Sequence, residues 1–312
     1  MGFTFNVKLP GFNNRVFRAR ELSGALYRDV VKSLYNADDS AFIDCLNNTC
    51  EYIIPGILQE DVNVIDKLLL LLNARAVCVS PDLKLNVTCA ATNKQFNYTC
   101  KLDELYIQLE NLKYTKIVEI EDFIVFHSII KAQHEKFFFD TNINRSQLPY
   151  YQIASCIDSI SIKDIKTDFK GLDIETRLSI VENLPVSVFN AVLKSMQNIE
   201  INLAGQKLLY IKSPFADSVS VDMPVSTDVH TLLQVCKFIF TDDLTNLYKL
   251  VFNLVHHSGF TAEYLDSITP AEQMLFWSYF LKTQQKEQSE SNVSSQIAGF
   301  PKDVSTSSSE FG

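Results

Sequence analysis

The stretch from residue 61 to residue 102, DVNVIDKLLLLLNARAVCVSPDLKLNVTCAATNKQFNYTCKL, changes its hydrophobic period once and so decides the fold class. In its first part Val62, Ile65, Leu68, Leu69 and Leu72 fall three and four residues apart, which predicts a helix over 61–77. Glu60 and Asp61 suit its positive N-terminal end and Arg75 its C-terminal end. In the second part Leu83, Leu85, Val87 and Cys89 alternate with polar residues, and Phe96, Tyr98, Cys100 and Leu102 do the same. That period of two predicts an antiparallel ribbon turning at 90–95.

Upstream, Phe3, Phe5 and Val7, then Val16 and Arg18, flank Leu9-Pro10-Gly11 and predict a β-hairpin, not a signal peptide. Leu22, Leu26, Val30 and Leu34, then Phe42 and Leu46, predict a helical hairpin broken at 37–40, with Asp39 or Ser40 capping its second helix. Downstream, 105–109 and 114–126 have β-rich composition, and Ile117 to Phe126 reads as a strand. Residues 128–150 leave two readings, loop or short helix.

From Ser159 the pattern becomes mainly helical. Helices are expected at 174–181, at 185–199 with Pro185 in the first turn, at 228–240 and at 241–257, with a short segment near Thr261. The stretch Ile201 to Pro224, punctuated by Gly205 and Pro214, suggests a second ribbon. Thr269-Pro270-Ala271-Glu272 carries a capping box and opens a last helix. Past Ser289 no apolar period survives, so a disordered tail is expected. The resulting expectation is an α+β fold, with a helical hairpin and β-ribbon in a mixed region 1–158, a mainly helical 159–285, and a tail 286–312.

Composition excludes several functions. The 312 residues carry 37 Asp and Glu against 28 Lys and Arg, a net charge of −9 that repels phosphate backbones, so no nucleic-acid partner is expected. Only 9 glycines are present, too few for the phosphate-cradling loops of most nucleotide enzymes. The apolar run Leu68 to Leu72 is far short of the ~20 residues of a membrane span. Seven cysteines without a C-x-x-C pair fit reduced thiols in a cytoplasm.

Candidate chemical groups have plain structural readings. His134-Glu135 begins like a zinc-protease helix, but residue 138 is Phe, so the second imidazole is missing. His256 and His257 are adjacent and point to different faces, a poor chelating geometry. Cys89 and Cys100 share a ribbon face and meet only if the register pairs them, as buried thiols or as a labile disulfide. Glu119, Glu121 and Asp122 are the nearest thing to a carboxylate pair, read as a solvated strand face. Gly205-Gln206-Lys207 lacks the rest of a phosphate loop, and no nucleophile elbow occurs. No catalytic, cofactor or metal residue is therefore nominated. Phe276, Trp277, Tyr279 and Phe280 stand out instead, because four large rings within five residues exceed one helix stripe and leave a side for a partner.

The order of these pieces resembles the T-even-type myophage baseplate hub subunits and hub-assembly proteins. The resemblance rests on the strand, Leu9-Pro10 and helical-hairpin opening, on Asp66 to Val77, and on Leu85-Asn86-Val87-Thr88-Cys89 with Phe96 to Asp103 leading to Ile117–Ile120. Phe260 to Leu265 followed by Ile268 to Gln273 completes it. Relatives often carry paired cysteines at the ribbon turn, where this chain has Ala90 and Ala91, so no metal knuckle follows. The resemblance implies a non-enzymatic structural component of a contractile-tail baseplate hub, located in the virion and in the host cytoplasm during assembly. It also implies hub, tail-tube or tape-measure proteins as partners. A transient assembly factor absent from the virion is the alternative, and a tail-associated cell-wall hydrolase using Glu119, Glu121 or Cys89 is the third reading.

Overall fold

The structure, a computed structural model, describes residues 4–36, 38–139, 143–163, 165–203 and 205–298, with side chains to residue 286. The expected hairpin is β1 (Thr4–Leu9) paired antiparallel with β2 (Arg15–Arg20), Val7 opposite Phe17; Phe3 lies outside the described residues. Between them Asn13 and Asn14 adopt the left-handed conformation, at φ 54° and 62°, which asparagine tolerates better than most residues. Gly11 in this turn is a packing requirement. A Cβ there would come within 2.1 Å of Asp66 Oδ2 and 2.4 Å of Asn63 Nδ2.

The helical hairpin is α1 (Gly24–Leu34), capped by Ser23, and α2 (Asp39–Ile53). The cap of α2 is Asp38, one residue ahead of the expected Asp39 or Ser40; its extended backbone lets its carboxylate accept from the amides of Ser40 and Ala41 at 2.9 and 3.2 Å. Next comes α3 (Val64–Cys78), capped by Asn63. It is the axis of the molecule: Leu68 through Leu72 are all buried, so the helix is covered on every side. Its charged residues are buried too and each has partners. Asp66 accepts from Tyr114 Oη at 2.8 Å, Asn63 Nδ2 at 2.7 Å and the Gly11 amide at 3.2 Å. Lys67 pairs with Glu135 and donates to Asn47 Oδ1, while Arg75 donates to the Ile239 and Ser80 carbonyls.

The ribbon is β3 (Asp82–Thr88) and β4 (Gln95–Lys101), in the expected place. Beyond it the β-rich reading fails in two ways. Residues 105–109 belong to a helix, α4 (Leu102–Glu110), whose Leu102, Leu105 and Leu109 are buried at helical spacing. Ile117 to Phe126 is two strands, β5 (Lys116–Ile120) and β6 (Phe123–His127), folded back where Glu121 takes φ 52°. The ambiguous 128–150 contains a 3-10 segment, Ala132–Phe139, and the start of α5 (Leu148–Cys156). Then β7 (Ile157–Ile162) and β8 (Ile165–Asp168) complete a four-stranded antiparallel sheet in the order β5-β6-β7-β8. These two strands occupy ground expected to be helical.

The rest follows the helical expectation: α6 (Ile174–Glu182), α7 (Val186–Leu203), the second ribbon β9 (Lys207–Lys212) and β10 (Val219–Pro224), then α8 (Val229–Ile239), α9 (Leu244–Ser258), α10 (Ala262–Ser267) and α11 (Pro270–Ala298). The fold is thus α+β with a mainly helical C-terminal half. The larger core runs from Val7 to Phe240 around α3, and a second gathers the inner face of the four-stranded sheet with α5, α6 and α7. The boundary expected at 158/159 falls inside β7. The backbone of α11 continues past Ser289, and the expected tail from 299 onward lies outside the described residues.

Candidate interface on the C-terminal helices

Helix α9 has eight apolar residues, among them Leu247, Tyr248, Phe252 and Val255, yet only Leu254 is buried. An amphipathic helix normally turns such residues inward. Here Leu244 and Leu247 pack half-buried against the larger core, while Tyr248, Phe252 and Val255 stay exposed.

Helix α11 is fixed beside it by a set of polar contacts at its start. The capping box forms as expected: the Glu272 amide donates to Thr269 Oγ1 at 3.2 Å and the Thr269 amide donates to Glu272 Oε2 at 2.8 Å. Gln273, buried, donates to the Leu265 carbonyl at 2.6 Å, and the Gly24 amide donates to the Ile268 carbonyl at 2.7 Å. Arg28 of α1 pairs with Asp266. Tyr27 Oη donates to Asp242 Oδ2 at 2.8 Å and holds the α8–α9 turn against α1. Burial and that carboxylate push the Tyr27 hydroxyl above its ordinary range, so it remains a donor.

From this anchor the expected interface residues fan out. Phe276 stacks on Phe260 at 5.1 Å and Trp277 on Phe280 at 5.2 Å. His257 of α9 lies 5.7 Å from Phe280, while His256 stacks on Phe252. The two histidines therefore serve in a row of rings crossing from α9 to α11, their own centroids 4.7 Å apart. Outward from the row stand Phe252, 65% exposed, Tyr279, 58%, and Met274, 56%. Residues 250–262 and 273–281 hold no Asp, Glu, Lys or Arg, in a chain that is 21% charged. Uncharged apolar patches at a protein surface are common at interaction sites and ligand grooves.

Between α9 and α11 runs a groove of about 750 Å³, floored by Val79 and Leu83 and walled by Leu247 and Leu250 on one side and Met274, Trp277 and Leu281 on the other. Trp277, the single tryptophan, is shared by the groove and the row of rings.

The other candidates from sequence come apart. Cys100 pairs with Leu83 whereas Cys89 sits past the far end of the ribbon, so the register keeps them apart and all seven cysteines are free thiols. Cys89 instead lies beside Ser218 Oγ at 3.6 Å, and hydrogen bonds from Ser213 and Thr92 bring its thiol down to about 6. Burial pushes Cys50 and Cys78 up to about 12. His134 is buried and brought down to about 3 by desolvation, hence neutral, and Glu135 is taken by Lys67. Glu119 lies on β5 but Glu121 and Asp122 are in the turn, where Asp122 pairs with Lys163 at 3.7 Å. Lys207 pairs with Asp222 at 2.6 Å. Among the described residues, no group of three His, Cys, Asp or Glu is placed to hold a metal, and no helix is long and apolar enough to cross a membrane.

Sequence reasoning missed the buried ion pairs, because their partners are far apart in the chain. Lys67–Glu135 and Arg177–Asp61 are the clearest. One signal existed: several charged residues sit inside otherwise apolar stretches.

The fold is that of an α+β protein with an uncharged, apolar strip on its C-terminal helices. Residues 2–205, well over half of the 312, match the family of the T4 bacteriophage base plate protein, and the chain belongs to that family. Membership implies a place in the phage tail among other baseplate and tail proteins, in a structural role. No curated protein and no solved structure matches the chain.

Proposed function

We propose that this baseplate protein is a non-enzymatic structural subunit of the hub of a contractile tail, gripped by its neighbours through the α9–α11 face. The observation that carries the reading is the charge-free row of rings on α11, in which Phe276, Trp277 and Phe280 are half-buried and Tyr279 stands exposed beside Phe252 and Met274. Aromatic side chains on a rigid helix provide large contact area with few rotatable bonds to immobilise, the composition typical of interface hot spots. Hub, tail-tube and tape-measure proteins are the neighbours we assign.

The test is mass spectrometry of purified virions and of isolated baseplates from phage carrying the wild-type chain or Tyr279→Glu. The expected result is a stoichiometric subunit in wild-type particles and its loss with Tyr279→Glu, the variant protein remaining folded by circular dichroism. Absence of the wild-type chain from finished particles would replace the subunit reading with that of a transient assembly factor. Full incorporation of the Tyr279→Glu chain would remove the α9–α11 face from the docking surface.

A further inference from the structure

The groove between α9 and α11 has a shape and a charge pattern that specify more than a generic contact. Its helical walls repeat at the spacing of three and four residues, with Asn246, Leu250 and Asn253 along α9 and Pro270, Met274, Trp277 and Leu281 along α11. From Pro270 to Leu281 the wall is about 17 Å long at the α-helical rise, the length of about three helical turns. Ridges at these intervals are what one helix presents to another in ridge-into-groove packing.

The rim is charged, and asymmetrically so. Lys249 of α9 and Lys84 of β3 line the groove and neither makes an ion pair among the described residues. By contrast Asp242, on the same rim, is occupied by Tyr27 and by Arg75 at 4.0 Å. Asp82 is the one carboxylate on the rim outside an ion pair. In a chain with nine excess negative charges, a groove whose free charge is positive, two lysines against Asp82, favours a visitor that brings carboxylates to its rim.

We propose that this groove receives an amphipathic α-helix of a partner protein, about three turns long, with its apolar stripe on Leu247, Leu250, Met274, Trp277 and Leu281 and with carboxylates on its flank facing Lys84 and Lys249. This is the helix-in-groove mode of recognition, in which apolar anchors at i, i+3, i+4 and i+7 supply affinity and flanking charges set partner choice. The proposal deepens the docking reading above and rests on it.

The full-length chain carries its own reporter, since Trp277 is the sole tryptophan and lines the groove. The experiment titrates the protein with two 15-residue helical peptides of Leu and Ala that differ only in carrying Glu or Lys on the flanks, reading Trp277 emission. The Glu peptide is expected to give a saturable blue shift and to bind about fivefold tighter than the Lys peptide, the size of two partly exposed ion pairs. In the Lys84→Glu, Lys249→Glu double variant the order of the two peptides is expected to invert, and Met274→Asp, at an exposed position, is expected to abolish the shift. Equal binding of the two peptides, or no saturable response to either, overturns the proposal. These outcomes are separate from the particle test: loss of incorporation with Tyr279→Glu alongside charge-indifferent peptide binding removes the acidic helix and leaves the docking face standing. Full incorporation of Tyr279→Glu removes the docking face itself, and the proposal with it.

Discussion

Arg177 of α6 and Asp61, the residue that turns the chain toward α3, meet at 2.8 Å with the guanidinium fully buried. The pair ties the smaller core to the larger one. The remaining donors of Arg177 are used locally, Nε on the Leu172 carbonyl at 3.0 Å and Nη1 on the Ala154 and Ile157 carbonyls at 3.4 Å. Asp61 holds φ 59° to reach it and also accepts from Gln133 Nε2 at 2.6 Å. Truncating one member of such a pair leaves the other charge and several carbonyls unsatisfied, so Arg177→Ala is expected to destabilise the fold by about 3–5 kcal/mol. Denaturant unfolding followed by circular dichroism measures this, and a loss below about 1 kcal/mol would show the pair to be incidental.

Asp66 makes the stability of the protein depend on pH in an unusual direction. Its carboxyl is pushed up to about 6, chiefly by burial, against the lowering effect of Tyr114 and the Gly11 amide. A carboxyl that binds its proton more tightly folded than unfolded favours the native state on acidification. Its contribution therefore improves as pH falls from about 6 toward the unfolded value near 4, and is lost as pH rises through that window. The stability of wild type minus that of Asp66→Asn is expected to rise by up to roughly 3 kcal/mol between pH 7 and pH 4, since subtraction cancels the other carboxylates. A flat difference across that range contradicts the assignment.

Gly24 is the point where α1 and the start of α11 touch. A Cβ there would lie 2.1 Å from Gln273 Nε2 and 3.1 Å from the Leu265 carbonyl oxygen, the two atoms that hydrogen-bond each other. Gly24→Ala ought to break that bond and shift the α11 N-terminus, at a cost of about 1–3 kcal/mol. Ser23, the cap of α1, stays in place and does not share in the effect. A thermal melt at unchanged temperature would mean that Gln273 swings clear without penalty.

The parts of the fold that were legible in sequence are those set by local rules. The hairpin at Leu9-Pro10-Gly11, the ribbon, the capping box at Thr269 and the amphipathic helices each depend on spacing within a dozen residues. Failures came where tertiary contacts overrode composition. Segment 105–109 has β-forming residues, but Leu102, Leu105 and Leu109 gain more by covering α3, and Tyr106 is drawn to the Lys8 carbonyl at 3.0 Å. The turn at Glu121 carries no glycine or proline signal, so two strands read as one. β7 was hidden because Ile157, Ser159 and Ile160 are all buried, which erases simple alternation. The rings at 276–280 were legible as an excess of aromatics on one helix, whereas the groove was not, since residues 75–84, 241–253 and 270–281 contribute to it from three separate stretches.

The capping box is the hinge between sequence signal and interface geometry, and it permits a double-mutant test. Thr269 Oγ1 accepts from the Glu272 amide, and the Glu272 carboxylate takes both the Thr269 amide at 2.8 Å and its hydroxyl at 2.9 Å. Two helix-end donors are satisfied reciprocally, so either change alone already breaks most of the arrangement. Thr269→Ala and Glu272→Ala are each expected to cost about 1 kcal/mol, and the double variant less than the sum by at least about 0.5 kcal/mol. Because Met274 and Trp277 lie one and two turns further along α11, fraying at Thr269 should also redden Trp277 emission before the global transition. Strict additivity, with Trp277 emission unchanged until the protein unfolds as a whole, would show that Gln273 and the α1 contacts alone hold the helix in place.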